Sequence, residues 1–151
     1  MVHHCSWFPP MLNDTYRNDC YDDGIRRAVE AFCDAHGRAP VVLDIGCGTG
    51  LLALMAARAG AAHVIACEKL PGMAGLAQET VAENGLQDTV SVVPRASSEL
   101  DSEDITRLAG QPACDLVVSE ILGTLLIDEV GPSVTTHASN VVKTALPRAH
   151  G

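Results

Sequence analysis

Four short apolar runs, rich in β-branched residues, recur along the chain: Val41 to Ile45, His63 to Cys67, Thr89 to Val93 and Cys114 to Ser119. Each has strand length and is bounded by glycine, proline or acidic residues. Between them apolar positions return every three or four residues, the period of a helix with one buried face. Tyr16, Cys20, Ile25, Val29 and Phe32 form such a stripe from Asn13 or Asp14 onward; Gly24 weakens its middle, and Gly37 and Pro40 end it. Further helices are expected from Leu51 to Ala59, stopped by Gly60, and from Gly72 to Asn84, capped by Gly85. An acidic, serine-rich stretch from Ser97 to Asp104 precedes a short helix from Ile105 to Ala109. A loop from Glu120 to about Asp128 precedes a helix from Glu129 or Ser133 to Leu146. Pro9-Pro10 predicts that no helix runs through to Met11. Residues 1–12 therefore read as an irregular N-terminal segment and 13–151 as one domain.

Strands alternating with helices define an α/β protein with a doubly wound, mostly parallel, Rossmann-like sheet. Right-handed crossovers favour the strand order 3-2-1-4. Ligands of such sheets bind beyond the carboxyl ends of the strands, so chemistry is expected just after each strand. The first of these places holds Gly46-Cys47-Gly48-Thr49-Gly50. Glycine accepts φ > 0 and has no Cβ, so a ligand can lie against the backbone there, and the following helix presents its unpaired N–H groups to the same spot. A dinucleotide fingerprint needs glycine at position 51, where the chain has Leu51. Glu68, 24 positions past Asp44, ends the second strand. A carboxylate there either accepts hydrogen bonds from both hydroxyls of a ribose or is a solvated strand-end acid.

Charge narrows the partners. With 10 Lys and Arg against 19 Asp and Glu, the net charge of −9 argues against nucleic acid and for a cationic partner. No apolar run reaches membrane length, and Met1 to Cys5 lacks the basic and apolar regions of a signal peptide. The six cysteines include no Cys-x-x-Cys pair; they read as small reduced hydrophobes, with no metal expected, in a protein of the cytoplasm or nucleus.

The run from Val42 to Gly50 resembles motif I of class I S-adenosylmethionine (SAM) methyltransferases, and Glu68 matches their acidic residue after strand two. Met11-Leu12-Asn13-Asp14-Thr15-Tyr16-Arg17, continuing to Tyr21, resembles the Met-Leu-x-Asp-x-x-Arg segment of protein arginine N-methyltransferases. Ser119 to Glu129 resembles their double-E loop, with Glu120 and Glu129 nine positions apart. The resemblance runs from about Met11 to His137. It implies SAM as cofactor, S-adenosyl-L-homocysteine as product, and a basic, Arg/Gly-rich protein as substrate. It also implies cofactor contacts from Met11, Arg17, Asp44, Gly46, Cys47, Gly48, Gly50, Glu68, Ala96 and Ser97. Arg17 would pair with the cofactor carboxylate, Met11 would line the site, and Ser97 would lie beside Ala96 at the adenine edge. Residue by residue, other readings stay open: Asp44 can cap amides of the turn, Arg17 can pair with Asp14, and Met11 can fill core.

Family members continue into a β-barrel that completes the substrate groove and carries a dimerisation arm, so the sequence reads as truncated and a homodimer is expected only with that region present. The Met-Leu-Asn-Asp step leans towards the monomethylating branch, although Gly123 and Leu125 stand where that branch has acids. The chemistry needs two carboxylates because a guanidinium keeps its proton and spreads its charge over three nitrogens, which makes it a poor nucleophile. Glu120 and Glu129 would accept its N–H groups, fix its plane and draw charge from the attacking nitrogen. A non-catalytic SAM-binding protein and a small-molecule methyltransferase are the alternatives.

Overall fold

A computed structural model describes residues 8–120. Its sheet is parallel throughout, with β1 (Val41–Ile45), β2 (His63–Cys67), β3 (Val90–Val93) and β4 (Leu116–Ser119) in the order β3-β2-β1-β4. This is the order expected from right-handed crossovers. β1 pairs along its length with β2 and, from Val42 to Ile45, with Leu116 to Ser119 of β4. All five of its residues are buried. Alternation sends Val42 into a core with Ile25, Val29, Leu52, Ala53 and Val64. Val41, Leu43 and Ile45 enter a second core with Ile65, Cys67, Leu100 and Ile105.

The helices are α1 (Phe8–Leu12), α2 (Thr15–His36), α3 (Leu51–Arg58), α4 (Pro71–Glu83) and α5 (Ser102–Ala109), with a 3₁₀ turn at Ser97–Glu99. α1 departs from the expectation of an irregular start, since it contains both prolines. A proline in the first turn forfeits no intrahelical bond, because the first N–H groups have no partner there. α2 begins where Asp14 accepts the Arg17 amide at 3.0 Å and ends at Gly37 in the left-handed conformation, φ 66°. Its stripe is buried only at Ile25, Val29 and Phe32; Tyr16 is 80% exposed and Cys20 exposed. α5 starts three residues earlier than expected. Asp101 caps it by accepting the Asp104 amide at 2.8 Å, and Glu103 and Asp104 stand in its first turn, where the helix dipole favours acids. The acidic stretch is thus partly a helix start. β4 in turn begins at Leu116, two residues later than the apolar run suggests, because Asp115 serves as a polar junction.

That junction holds the amino ends of the strands together. The Arg38 guanidinium donates to both Asp115 oxygens at 2.8 and 2.7 Å, and Asp115 also accepts the Val41 amide at 2.8 Å and the Gln111 side chain at 3.0 Å. Arg38 lies 5.0 Å above the Phe32 ring, which stacks on His36. Burial works to raise the Asp115 pKa, but Arg38, Val41 and Gln111 outweigh it and hold the group below its ordinary value. A depressed carboxyl pKa contributes stability above the unfolded value and loses it as pH falls through the folded one. Asp115→Ala is expected to cost about 1–3 kcal/mol in urea unfolding at pH 7, since half of the Arg38 side chain is exposed and screened. The difference from the parent chain should shrink in unfolding curves recorded below pH 4.

Candidate functional site

The site forms where β1 ends. Gly46, Gly48 and Gly50 have φ of 70°, 55° and 88°, so three left-handed residues in five turn the chain from strand into α3. The Gly50 amide donates to the Cys47 carbonyl at 2.7 Å, and the Cys47 amide donates to the Cys67 carbonyl at the end of β2 at 2.9 Å. A Cβ at Gly50 would lie 3.6 Å from that of Ala77, which brings α4 close behind the turn.

Glu68 is buried and clasps this turn. One of its oxygens, Oε2, accepts the Gly48 amide at 3.1 Å, and Oε1 accepts the Leu70 amide at 2.8 Å. The carboxylate is therefore neither solvated nor loose; it ties the end of β2 to the glycine turn and to the start of α4. Two acceptor lone pairs per oxygen leave it able to take further donors such as ribose hydroxyls.

Asp44 lies beneath the same turn and is fully buried, and neither carboxylate oxygen has a hydrogen-bond partner. Burial pushes its pKa up to about 7; the Ala53 amide in the first turn of α3 opposes the rise without closing a bond, and the Glu68 charge adds to it. An orphaned buried carboxyl of this kind is costly, and such groups mark sites where a ligand supplies the missing partner. Cys47 and Cys67 face the same charge: burial, then Asp44, raises both thiols, that of Cys67 to about 12. They are inert hydrophobes at neutral pH, as the absence of a Cys-x-x-Cys pair suggests.

On the opposite rim, Arg17 of α2 forms an ion pair with Glu120, the residue after β4. Its guanidinium also donates to the Met11 carbonyl at 3.3 Å and to Asn18 Oδ1 at 2.9 Å, and it lies 5.2 Å from the centre of the Tyr21 ring. Asp14 thus receives the backbone of Arg17, as helix cap, and not its side chain. The end of β4 is fixed by Ser119, whose hydroxyl donates to the Ile45 carbonyl at 2.9 Å. At the third strand end the Ala96 amide donates to Glu99 at 2.9 Å, and Ser97 is buried. The structure therefore gathers Asp44, Gly46 to Gly50 and Glu68 into one cradle and joins Met11, Arg17 and Glu120 at a second rim. Ala96 and Ser97 follow β3 at its carboxyl end. Glu129 lies outside the described residues. Among those described, no cluster of histidine, cysteine and acidic residues is arranged to hold a metal. Sequence reasoning missed Asn18; Tyr21 and Ser119 fall within the segments it singled out, but their contacts with Arg17 and with the Ile45 carbonyl are ones no spacing announces.

Fold and site together define a doubly wound, Rossmann-like domain with a glycine-turn cradle beyond the carboxyl ends of its strands. A family profile described as "Methyltransferase domain" matches residues 42–144. Protein arginine N-methyltransferase 7 of Drosophila grimshawi is 41% identical over 139 residues, 91% of this chain and 19% of that protein. The Arginine N(omega)-methyltransferase of Streptomyces achromogenes subsp. streptozoticus is 38% identical over 138 residues, 91% of this chain and 35% of that protein. Among solved structures, the Trypanosoma brucei PRMT1 enzyme-prozyme heterotetrameric complex with AdoHcy matches at a TM-score of 0.71 and 31% identity, covering 89% of this chain and 38% of that one. The chain belongs to the methyltransferase-domain family; the relatives it resembles bear the names of arginine N-methyltransferases. It spans about a fifth of the length of the Drosophila relatives.

A consequence for stability can be measured without any ligand. A carboxyl whose folded pKa exceeds its unfolded one binds more protons in the folded state, so stability falls as pH rises from about 4 through 7. Asp44→Asn removes that dependence. In urea unfolding between pH 5 and pH 8, the variant is expected to gain on the parent chain steadily, by about 1–3 kcal/mol at pH 8 relative to pH 5.

Proposed function

We propose that this chain carries the cofactor half of a SAM-dependent methyltransferase that acts on an arginine guanidinium. The observation that carries the reading is the cradle: a glycine turn clasped by Glu68 over an orphaned, fully buried Asp44. These residues fit the cofactor. Glu68 retains acceptor capacity for ribose hydroxyls, Asp44 lacks the cation that the amino-acid end of SAM would bring, and the turn carries no Cβ at positions 46, 48 and 50. Ala96 and Ser97 would border the adenine, and Met11 and Arg17 the amino-acid end, with Arg17 meeting the carboxylate. When bound, SAM supplies a methyl group on a sulfonium, an electrophile that needs only an aligned nucleophile.

The chain's own residues then provide orientation and charge. Glu120 would accept N–H groups of the substrate guanidinium from one side and Glu129 from the other, which fixes the plane and concentrates electron density on the attacking nitrogen. Support for Glu120 comes from its present partner, since a guanidinium, that of Arg17, already rests on it. An overall charge of −9 suits a basic substrate, and an Arg/Gly-rich protein segment supplies an unhindered arginine. Dimerisation would rest on sequence that the longer relatives carry beyond the matched region.

Free arginine is the second reading of the substrate, favoured by the Streptomyces relative, whose name specifies arginine and not a protein. Radiolabelled methyl transfer to an Arg/Gly-rich peptide and to free arginine, measured side by side, separates the two. Transfer is expected to the peptide, and Glu120→Gln or Glu129→Gln should each lower it at least 100-fold, as loss of a charged orienting group does. Undiminished transfer in both variants would sink the two-carboxylate mechanism. Folded protein that binds S-adenosyl-L-homocysteine yet methylates neither acceptor would establish a non-catalytic binding role.

A further inference from the structure

Building on the cofactor reading above, we infer that the cofactor binds against Asp44 only in its carboxylate form, so that binding expels the proton from the buried end of β1 in every molecule that carries one there. The geometry leaves little choice. Asp44 is sealed between β1, the glycine turn and the first turn of α3, with both oxygens unpartnered. The titratable groups that act on it or feel it are Glu68 at the end of β2, Cys47 in the turn and Cys67 on β2. From α3 it meets the Ala53 amide, and across the sheet its partners are Ala66 and Val118, which carry no charge. Among the described residues, none of the groups that act on its carboxyl is a cation.

An acid in that setting is half protonated near neutrality, in keeping with its value of about 7. An α-ammonium arriving at the turn changes the balance. A cation within a few ångströms in a dry site favours the carboxylate strongly, and the released proton passes to the buffer. Glu68 already accepts the Gly48 and Leu70 amides, whereas neither Asp44 oxygen has a partner. The consequence is a cofactor site that weakens on acidification, the opposite of what protonating the ligand's own amine would give.

Calorimetry of the 151-residue chain with S-adenosyl-L-homocysteine tests this with no need for turnover. At pH 7, titrations in phosphate and in Tris should differ in apparent enthalpy by the equivalent of about half a proton released per ligand bound. Between pH 7.5 and 6.0 the Kd should rise about tenfold, opposite in sign to the effect of protonating the ligand's own amino group. Asp44→Asn, checked for folding by circular dichroism, should bind with a flat pH profile and equal heats in both buffers. Glu68→Gln removes the neighbouring like charge and should move the midpoint to lower pH, which tests the assignment even where Asp44→Asn does not fold. His63→Gln, at the far end of β2, should leave the profile unchanged. Binding with equal heats in the two buffers overturns the inference and leaves the cofactor reading intact, as does a pH profile unaltered in Asp44→Asn. No binding by folded protein at any pH overturns both.

Discussion

Everything at the carboxyl end of this sheet depends on how abruptly the chain leaves β1. Between Ile45 and Leu51 the backbone must stop pairing with two neighbouring strands, reverse, and start a helix whose first amides face back towards the strand. Three residues at positive φ achieve this, and glycine is the residue that adopts that region with the least strain. The clasp from Glu68 and the bond from Cys47 to the Cys67 carbonyl then lock the turn to β2. A larger residue at Gly48 would oppose both the conformation and the clasp. The cradle is thus a backbone feature first, with side chains fitted round it.

Such a turn can tolerate a buried, unpartnered carboxyl only because the strand beneath it is held so firmly. Val42 and Leu43 are wholly buried, each apolar side chain of that size contributing about 1.5–3 kcal/mol. β1 also has a hydrogen-bonded neighbour on both edges, and Arg38 and Asp115 brace its amino end. Ionising Asp44 costs a few kcal/mol, comparable to one of these side chains and well below their sum. The strain is therefore placed at the best-supported strand of the sheet. On the proposed function, the same deficit becomes attraction once a ligand cation arrives.

The fold was legible because its signals are local. Apolar runs bounded by glycine and proline gave four strands within one or two residues of their observed limits, and chirality alone ordered them. Errors fell where a polar residue has two possible uses. Asp101, Glu103 and Asp104 look like solvated loop and are a helix start; Asp115 looks like the opening of a strand and is an ion-pair junction. Pro9-Pro10 looks like a break and is a first turn. In the site, Asp44, the glycines and Glu68 could be placed from sequence, since each follows or ends a strand. The clasp from Glu68 and the ion pair between Arg17 and Glu120 could not, because hydrogen-bond partners far apart in sequence are fixed by packing, and no spacing encodes them.

That last pair bears on how the two halves of the site communicate. Arg17 and Glu120 form an ion pair at the second rim, each satisfying the other. A ligand carboxylate reaching Arg17 must share or replace Glu120, and a substrate guanidinium reaching Glu120 must share or replace Arg17. Because a fork of five donors can serve two carboxylates at once, the first event need not break the pair, but it divides the charge that Glu120 feels. A Glu120 that shares its cation is a stronger acceptor for a second guanidinium. On the proposed function, occupying the amino-acid end of the cradle would prepare the substrate end through charge: Asp44 would gain a cation at one edge while Glu120 would be partly relieved of one at the other.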